Sequence, residues 1–193
     1  MGVSKTPRAT AADLAVRADD PYAEVIGGVI VEKASPSAEH ADAQAGLCGF
    51  LRAGFHHRGG PRGPGGWWIL TEVEVELESH EVYRPDVVGW RRDRVPARPS
   101  GRPVRARPDW VCEVLSRANA QKDLVTKLRA YQRSGVPHYW IVDPDEGVLH
   151  VHRWQPDGYL LVLTAQRGEV VRAEPFDAME LRVGLLFGEE EED

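Results

Sequence analysis

The 193-residue sequence predicts a single α/β (α+β) domain in which one mixed β-sheet is flanked by helices. Three observations carry the fold class. Strand-like and helical runs follow one another in the order two strands, helix, three strands, helix, three strands. Hydrophobic residues make up 42% of the chain and include six Trp, which suits a globular core and not a disordered chain. No internal repeat divides the sequence. The domain is expected over residues 19–187, behind an N-terminal segment (1–18) that frays and ahead of an acidic tail (188–193) that stays disordered.

Each element has a local reason. "YAEVIGGVIVE" reads as two short strands around the turn Gly27-Gly28. Ser35-Pro36 looks like an N-cap followed by proline in the first helical turn. The helix then runs from Ser37 to about His57, with His40, Gln44, Leu47, Leu51 and Phe55 on one face, and "RGGPRGPGG" stops it. "WWILTEVEVELE" alternates: Val73, Val75 and Leu77 face one way, and Glu72, Glu74, Glu76 and Glu78 the other. That pattern predicts one half-exposed strand with a solvated acidic face, Glu74 or Glu76 at most bordering a cleft. Ser79-His80 joins it to the next strand, "EVYRPDVVGW", in a hairpin.

After an Arg/Pro loop comes a buried strand, Asp109 to Leu115. "SRANAQKDLVTKLRAYQRSGV" predicts one helix, opened by Ser116 as a cap and closed by Gly135, with Leu124, Leu128 and Tyr131 as its apolar stripe. "PHYWIVDP" and "GVLHVHRW" form a hairpin with Tyr139 and Trp140 in the core, and "GYLLVLTA" adds a strand. His150 and His152 alternate on a strand without a third ligand, so no zinc site is expected.

Composition narrows the functional classes. No apolar run reaches the length of a membrane span, and Met1 to Thr10 shows no apolar core of a secretory signal. Cys48 and Cys112 sit in apolar contexts without ligand spacing and read as reduced cysteines of a cytoplasmic protein. The net charge of −6 speaks against a generic nucleic-acid binder, yet arginines bunch between Arg84 and Arg107. Arg102, Arg105 and Arg107 are the candidate phosphate contacts there; the competing reading is a solvated loop.

Glu113 is the residue that asks for chemistry. It lies inside the apolar run "WVCEVL", where an ionised carboxylate without a partner costs several kcal/mol. Asp86, 27 residues earlier on the preceding strand, can converge with it at one end of the sheet. Two carboxylates that close need a divalent cation, or one must hold a proton. An all-oxygen site suits Mg²⁺ or Mn²⁺ and suggests phosphoryl chemistry. Lys127 lies by angle within the apolar stripe of the following helix, so its ammonium either snorkels out or points at the buried acids. Asp123 is one turn earlier and can pair with it, which would be purely structural if the pair only steadies the helix. His40 is either a core histidine or an accessory to the same site.

The block "YRPDVV … PDWVCEVLSRANAQKDLVTKLRAYQRSGVPHYWIVDP" closely resembles the Uma2 family, a group of proposed endonucleases catalogued as domain of unknown function 820. That family is similar to the PD-(D/E)xK restriction-endonuclease-like superfamily. The resemblance implies that Asp86 is the acid of the "PD" element and Glu113 the second acid. Both would be catalytic metal ligands, with the backbone carbonyl of Val114 as a third donor to Mg²⁺ or Mn²⁺. The superfamily's lysine two positions after the second acid is Leu115 here, so Lys127 from the helix would replace it. Val29 stands where many relatives would carry an acid, so an accessory ligand from that strand is not expected. The implied function is divalent-metal-dependent endonuclease, with DNA as the expected substrate and a homodimer as a possible assembly. The alternative is a catalytically weak or inactive nucleic-acid-binding or scaffolding module on the same fold.

Overall fold

In the computed structural model, residues 8–17, 22–61, 63–116 and 120–189 are described. The fraying expected of residues 1–7 and 18 and the disorder expected of residues 190–193 lie outside them. The first strands, β1 (Ala23–Ile26) and β2 (Val29–Glu32), pair as a hairpin. Gly27 and Gly28 close the turn with φ of 61° and 82°, a region that side chains disfavour. A short helix α1 (Ala11–Ala15) buries Leu14 against Ala23, Val25 and Val82. Helix α2 (Ala38–Phe55) is capped by Ser37, whose hydroxyl accepts the His40 N–H at 3.2 Å. This corrects the expected Ser35-Pro36 start: Ser37 can reach the third N–H of the helix, and proline simply precedes the cap.

The expected single sheet is two. A six-stranded sheet has the order β10-β9-β8-β7-β6-β3 and a four-stranded one the order β2-β1-β5-β4. Their remaining strands are β3 (Trp67–Thr71), β4 (Val75–Glu78), β5 (Glu81–Tyr83), β6 (Val87–Arg91), β7 (Trp110–Val114), β8 (His138–Asp143), β9 (Val148–Gln155) and β10 (Gly158–Gln166). A further pair, β11 (Val170–Val171) and β12 (Leu181–Arg182), stands apart. The split has two local causes. Glu72, with φ of 54°, breaks "WWILTEVEVELE" after β3. Pro85, which has no N–H for a ladder, breaks "EVYRPDVVGW" between β5 and β6. The halves then pair separately, β3 with β6 and β4 with β5, the latter through the expected hairpin at Ser79-His80. The large sheet is mixed because β7 and β8 run parallel.

Side-chain alternation divides β7 between two cores. Trp110, Cys112 and Val114 pack with Leu47, Leu51 and Phe55 of α2. Val111 and Leu115 pack with Ala130 and Tyr131 of the last helix, so Glu113 belongs to that second face. Ala120 and Gln121 are already helical; the last helix then winds as a π-helix, Lys122–Lys127, and continues as α3 (Leu128–Arg133) before Gly135 at φ 66°. The wider winding turns Asp123 and Lys127 inward and leaves Leu124 43% exposed, so Leu124 is not part of the buried stripe. Tyr131, Tyr139 and Trp140 are buried as expected. The N–H groups that Ser116 was expected to cap lie outside the described residues; its carbonyl accepts the Ala120 N–H at 2.9 Å. Both cysteines are free, and among the described residues no helix is long and apolar enough to cross a membrane.

Candidate active site

Strands β6 and β7 pair Val87 with Cys112, so the next positions across the ladder are Asp86 and Glu113. The Val114 N–H donates to Asp86 Oδ2 at 2.6 Å, which closes the ladder with a side chain and fixes that carboxylate. The free oxygen, Oδ1, receives Lys33 Nζ at 2.6 Å and stands 3.3 Å from His40 Nε2. Burial alone would push the Asp86 carboxyl up. The hydrogen bond from His40 and the Lys33 charge outweigh it and hold the group well below its usual range.

Glu113 is 1% exposed. Its Oε1 accepts the Tyr131 hydroxyl at 2.6 Å, and Lys127 Nζ lies 2.9 Å from Oε2. Burial, reinforced by Asp86 and Asp123 against the pull of Lys127, pushes the Glu113 carboxyl up to about 8. Lys127 is itself fully buried, yet it stays protonated because it also meets Glu24 Oε1 at 3.1 Å and Asp123 Oδ1 at 3.3 Å. Leu115, at the usual lysine position, sits on the same strand face as Glu113 inside apolar packing. The helix therefore supplies the ammonium that the strand does not. The expected Asp123–Lys127 pair is present, within a larger network.

Four members of that network were not anticipated from the sequence: Glu24, Lys33, Glu72 and Lys122. Glu24 on β1 is fully buried; it accepts the Arg84 N–H at 2.9 Å and faces Lys122 at 3.2 Å. An acid thus does come from the first hairpin, through β1 and not at Val29, which is 61% exposed. Lys33, just after β2, also binds Glu72 at 2.9 Å and the Arg84 carbonyl at 3.0 Å. Gln44 donates to Glu72 at 3.2 Å and to the Asp86 carbonyl at 2.8 Å. The solvated face expected for the Glu72–Glu78 ladder is therefore not what forms. Glu72 joins the cluster, buried Glu74 pairs with Arg84 at 2.7 Å, and Glu76 pairs with Arg105 at 2.8 Å.

Of the candidate phosphate contacts, Arg102 is paired with Glu74 at 2.8 Å and Arg105 with Glu76; all three arginines, Arg107 included, are exposed. His150 bonds Thr164, outside the cluster.

Five carboxyl groups (Glu24, Glu72, Asp86, Glu113, Asp123) face three ammonium groups (Lys33, Lys122, Lys127), so acids outnumber bases in the cluster. Glu24 Oε2 and Asp123 Oδ1 lie within ion-pair reach of a lysine but make no hydrogen bond. Among the described residues, no three His, Cys, Asp or Glu side chains are arranged to hold a metal ion. A hard cation such as Mg²⁺ needs only one or two carboxylates, the rest of its shell being carbonyl and water. The all-oxygen donors, the surplus of acids over bases and the raised Glu113 carboxyl, which favours a proton where a cation could sit, fit such an ion.

An α+β domain with an Asp and a Glu on neighbouring central strands and a lysine against the second acid is of the restriction-endonuclease-like class. A solved structure from Anabaena variabilis ATCC 29413, described as "a putative nuclease belonging to DUF820", has a similar fold. Its TM-score is 0.72 at 22% identity, over 92% of this chain and 97% of that one. The chain belongs to the Uma2 family, whose sequence profile, described as "Putative restriction endonuclease", matches residues 10–184. No curated protein sequence matches the chain.

Proposed function

We propose that the buried cluster is the catalytic centre of a divalent-metal-dependent endonuclease that hydrolyses phosphodiester bonds of nucleic acid, with DNA as substrate. One observation carries the reading: Asp86 and Glu113 stand side by side across the β6–β7 ladder, with the Lys127 ammonium 2.9 Å from Glu113. Family membership supports it.

Asp86 Oδ1, Glu113 and the backbone carbonyl of Val114 would hold Mg²⁺ or Mn²⁺. When bound, the ion acidifies a coordinated water and offsets charge on the phosphate. The rest is done by this chain. The Val114 N–H and His40 orient the Asp86 carboxylate, and the Tyr131 hydroxyl orients Glu113. Lys127, held protonated by Glu24 and Asp123, places a fixed positive charge where the attacked phosphate gains negative charge. Lys33 plays the matching part beside Asp86. Cutting both strands of a duplex with one site per chain calls for a two-fold dimer.

The test is cleavage of plasmid, single-stranded and branched DNA with Mn²⁺ or Mg²⁺. Asp86→Ala is expected to lower the rate by at least about 10³-fold. Equal rates for Asp86→Ala and the parent would overturn the reading. One observation favours the alternative, a binding module with weak or no catalysis: both acids are already engaged by lysines in a closed cluster. Metal-independent binding without cleavage would be its signature.

A further inference from the structure

An open groove of about 640 Å³ lies between α2, the end of β3 and the loop at residues 98–101. Its walls include Cys48, Arg52, Thr71, Val73, Arg98 and Ser100. It adjoins the candidate active site through two elements. Thr71 directly precedes Glu72, which touches Lys33 and Gln44, and Cys48 is one helical turn beyond Gln44 on α2.

The arginines on this side differ from the others nearby. Arg84, Arg91, Arg94, Arg102 and Arg105 each form an ion pair with a carboxylate. Arg52, Arg58, Arg92 and Arg98 form none among the described residues. Arg92 lies 3.4 Å from the centre of the Trp68 ring and donates to the Trp67 and His56 carbonyls, and Arg52 donates to the Ile69 carbonyl at 2.8 Å. These two are anchored by bonds that leave their charge uncompensated. Arg58 and Arg98 are exposed, and their side chains are not hydrogen-bonded among the described residues. Arg52, Arg92 and Arg98 lie around His56, which stays neutral: burial, then these three charges, pull its pKa down to about 4, and its Nδ1 accepts the Ile69 N–H at 2.8 Å; Arg58 in turn acts on Arg92. A protein of net charge −6 thus keeps four arginines without carboxylate partners on this side, of which Arg52 and Arg98 line the groove.

Building on the proposed endonuclease reading, we infer that this groove and the surface beside it hold the sugar-phosphate backbone of the nucleic acid, with Arg98 in the groove and Arg58 beyond it contacting phosphates and Arg52 completing the wall. Guanidinium groups without carboxylate partners can exchange water and counterions for phosphate oxygens at little cost. Arg102 and Arg105 would first have to leave Glu74 and Glu76.

The experiment measures binding of a fluorescent duplex by anisotropy, in chelating buffer, across a salt series. Arg58→Ala/Arg98→Ala is compared with Arg102→Ala/Arg105→Ala. The first double variant is expected to bind about tenfold more weakly, with a log–log salt slope shallower by about two, and to keep its melting temperature. The second is expected to lose less. Unchanged affinity and slope in the first, or a larger loss in the second, would overturn the groove and leave the endonuclease reading standing. Groove-dependent binding without cleavage in Mn²⁺ would sink the endonuclease reading alone. A parent protein that binds no nucleic acid would remove both.

Discussion

Lys127 is a buried cation shared by three acids. Its stem fits a core position, but its ammonium serves Glu113, Glu24 and Asp123 together. Removing the charge leaves three buried acids facing one another, so Lys127→Met, despite its similar volume, is expected to cost about 3–5 kcal/mol as well as activity. Adding Glu24→Gln removes one surplus charge. In denaturant titrations the double variant should regain about 1–2 kcal/mol while cleavage stays absent. An active Lys127→Met would rule the lysine out of the chemistry. Glu113 sets the pH behaviour. Its folded pKa, about 8, lies above the ordinary carboxyl value of 4.5, so the native state binds the extra proton and metal-free stability falls as pH rises between those values. Glu113→Gln should flatten that decline, which is on the order of a few kcal/mol. Mn²⁺ should restore stability at pH 8 in the parent and not in the variant. A Gln variant that still takes up Mn²⁺ by calorimetry would place the ion elsewhere. Asp86, Glu113 and Lys127 were legible because each is a charge where an apolar residue belongs. Glu24 and Lys33 were not, since an acid in a short alternating strand and a lysine at a strand end both read as solvated.

At the scale of the element, the informative departures are two irregular backbones. Perfect alternation from Val73 to Leu77 conceals the break at Glu72, because a change of sheet does not alter the pattern of residue types on either side of it. Likewise, the spacing of Leu124, Leu128 and Tyr131 suits an ordinary α-helix, and only the π winding selects Asp123 and Lys127 instead. Both irregularities place charge in the candidate site, where irregular backbone commonly serves function. Glu72 holds φ of 54° without being glycine, so part of the cluster's placement is bought with backbone strain. Two substitutions separate strain from contact. Glu72→Ala and Glu72→Gly both lose the bonds to Lys33 and Gln44, but only glycine relaxes the backbone. The Gly variant should be more stable than the Ala variant by about 1 kcal/mol in chemical denaturation. The reverse order would mean that the conformation carries no strain.

For the whole molecule, the two-sheet arrangement explains why the site is one per chain and where it lies. The six-stranded sheet contributes Glu113 from β7, with Asp86 at the head of β6, and the four-stranded sheet brings Glu24 from β1. The last helix covers this junction with Asp123, Lys127 and Tyr131. The alternation of strands and helices was enough to read the fold class. The separation of the sheets was not, since the breaks at Glu72 and Pro85 leave the pattern of residue types unchanged while β3 passes to β6 and β4 to β5. On the proposed reading, a single buried cluster cuts one strand at a time. If the chain acts on duplex DNA at both strands, two copies related by a two-fold axis must present their clusters to opposite strands. Sedimentation at micromolar concentration should then show a species of about twice the 21.5 kDa chain. Supercoiled plasmid should pass to linear form without accumulating nicked circles, because paired sites fire within one encounter. A monomer that builds up nicked circles first would instead make this a single-strand enzyme. Dilution separates the cases further: a dimer's linearising activity should fall faster than in proportion to protein below its dissociation constant, while a monomer's nicking rate should stay proportional throughout.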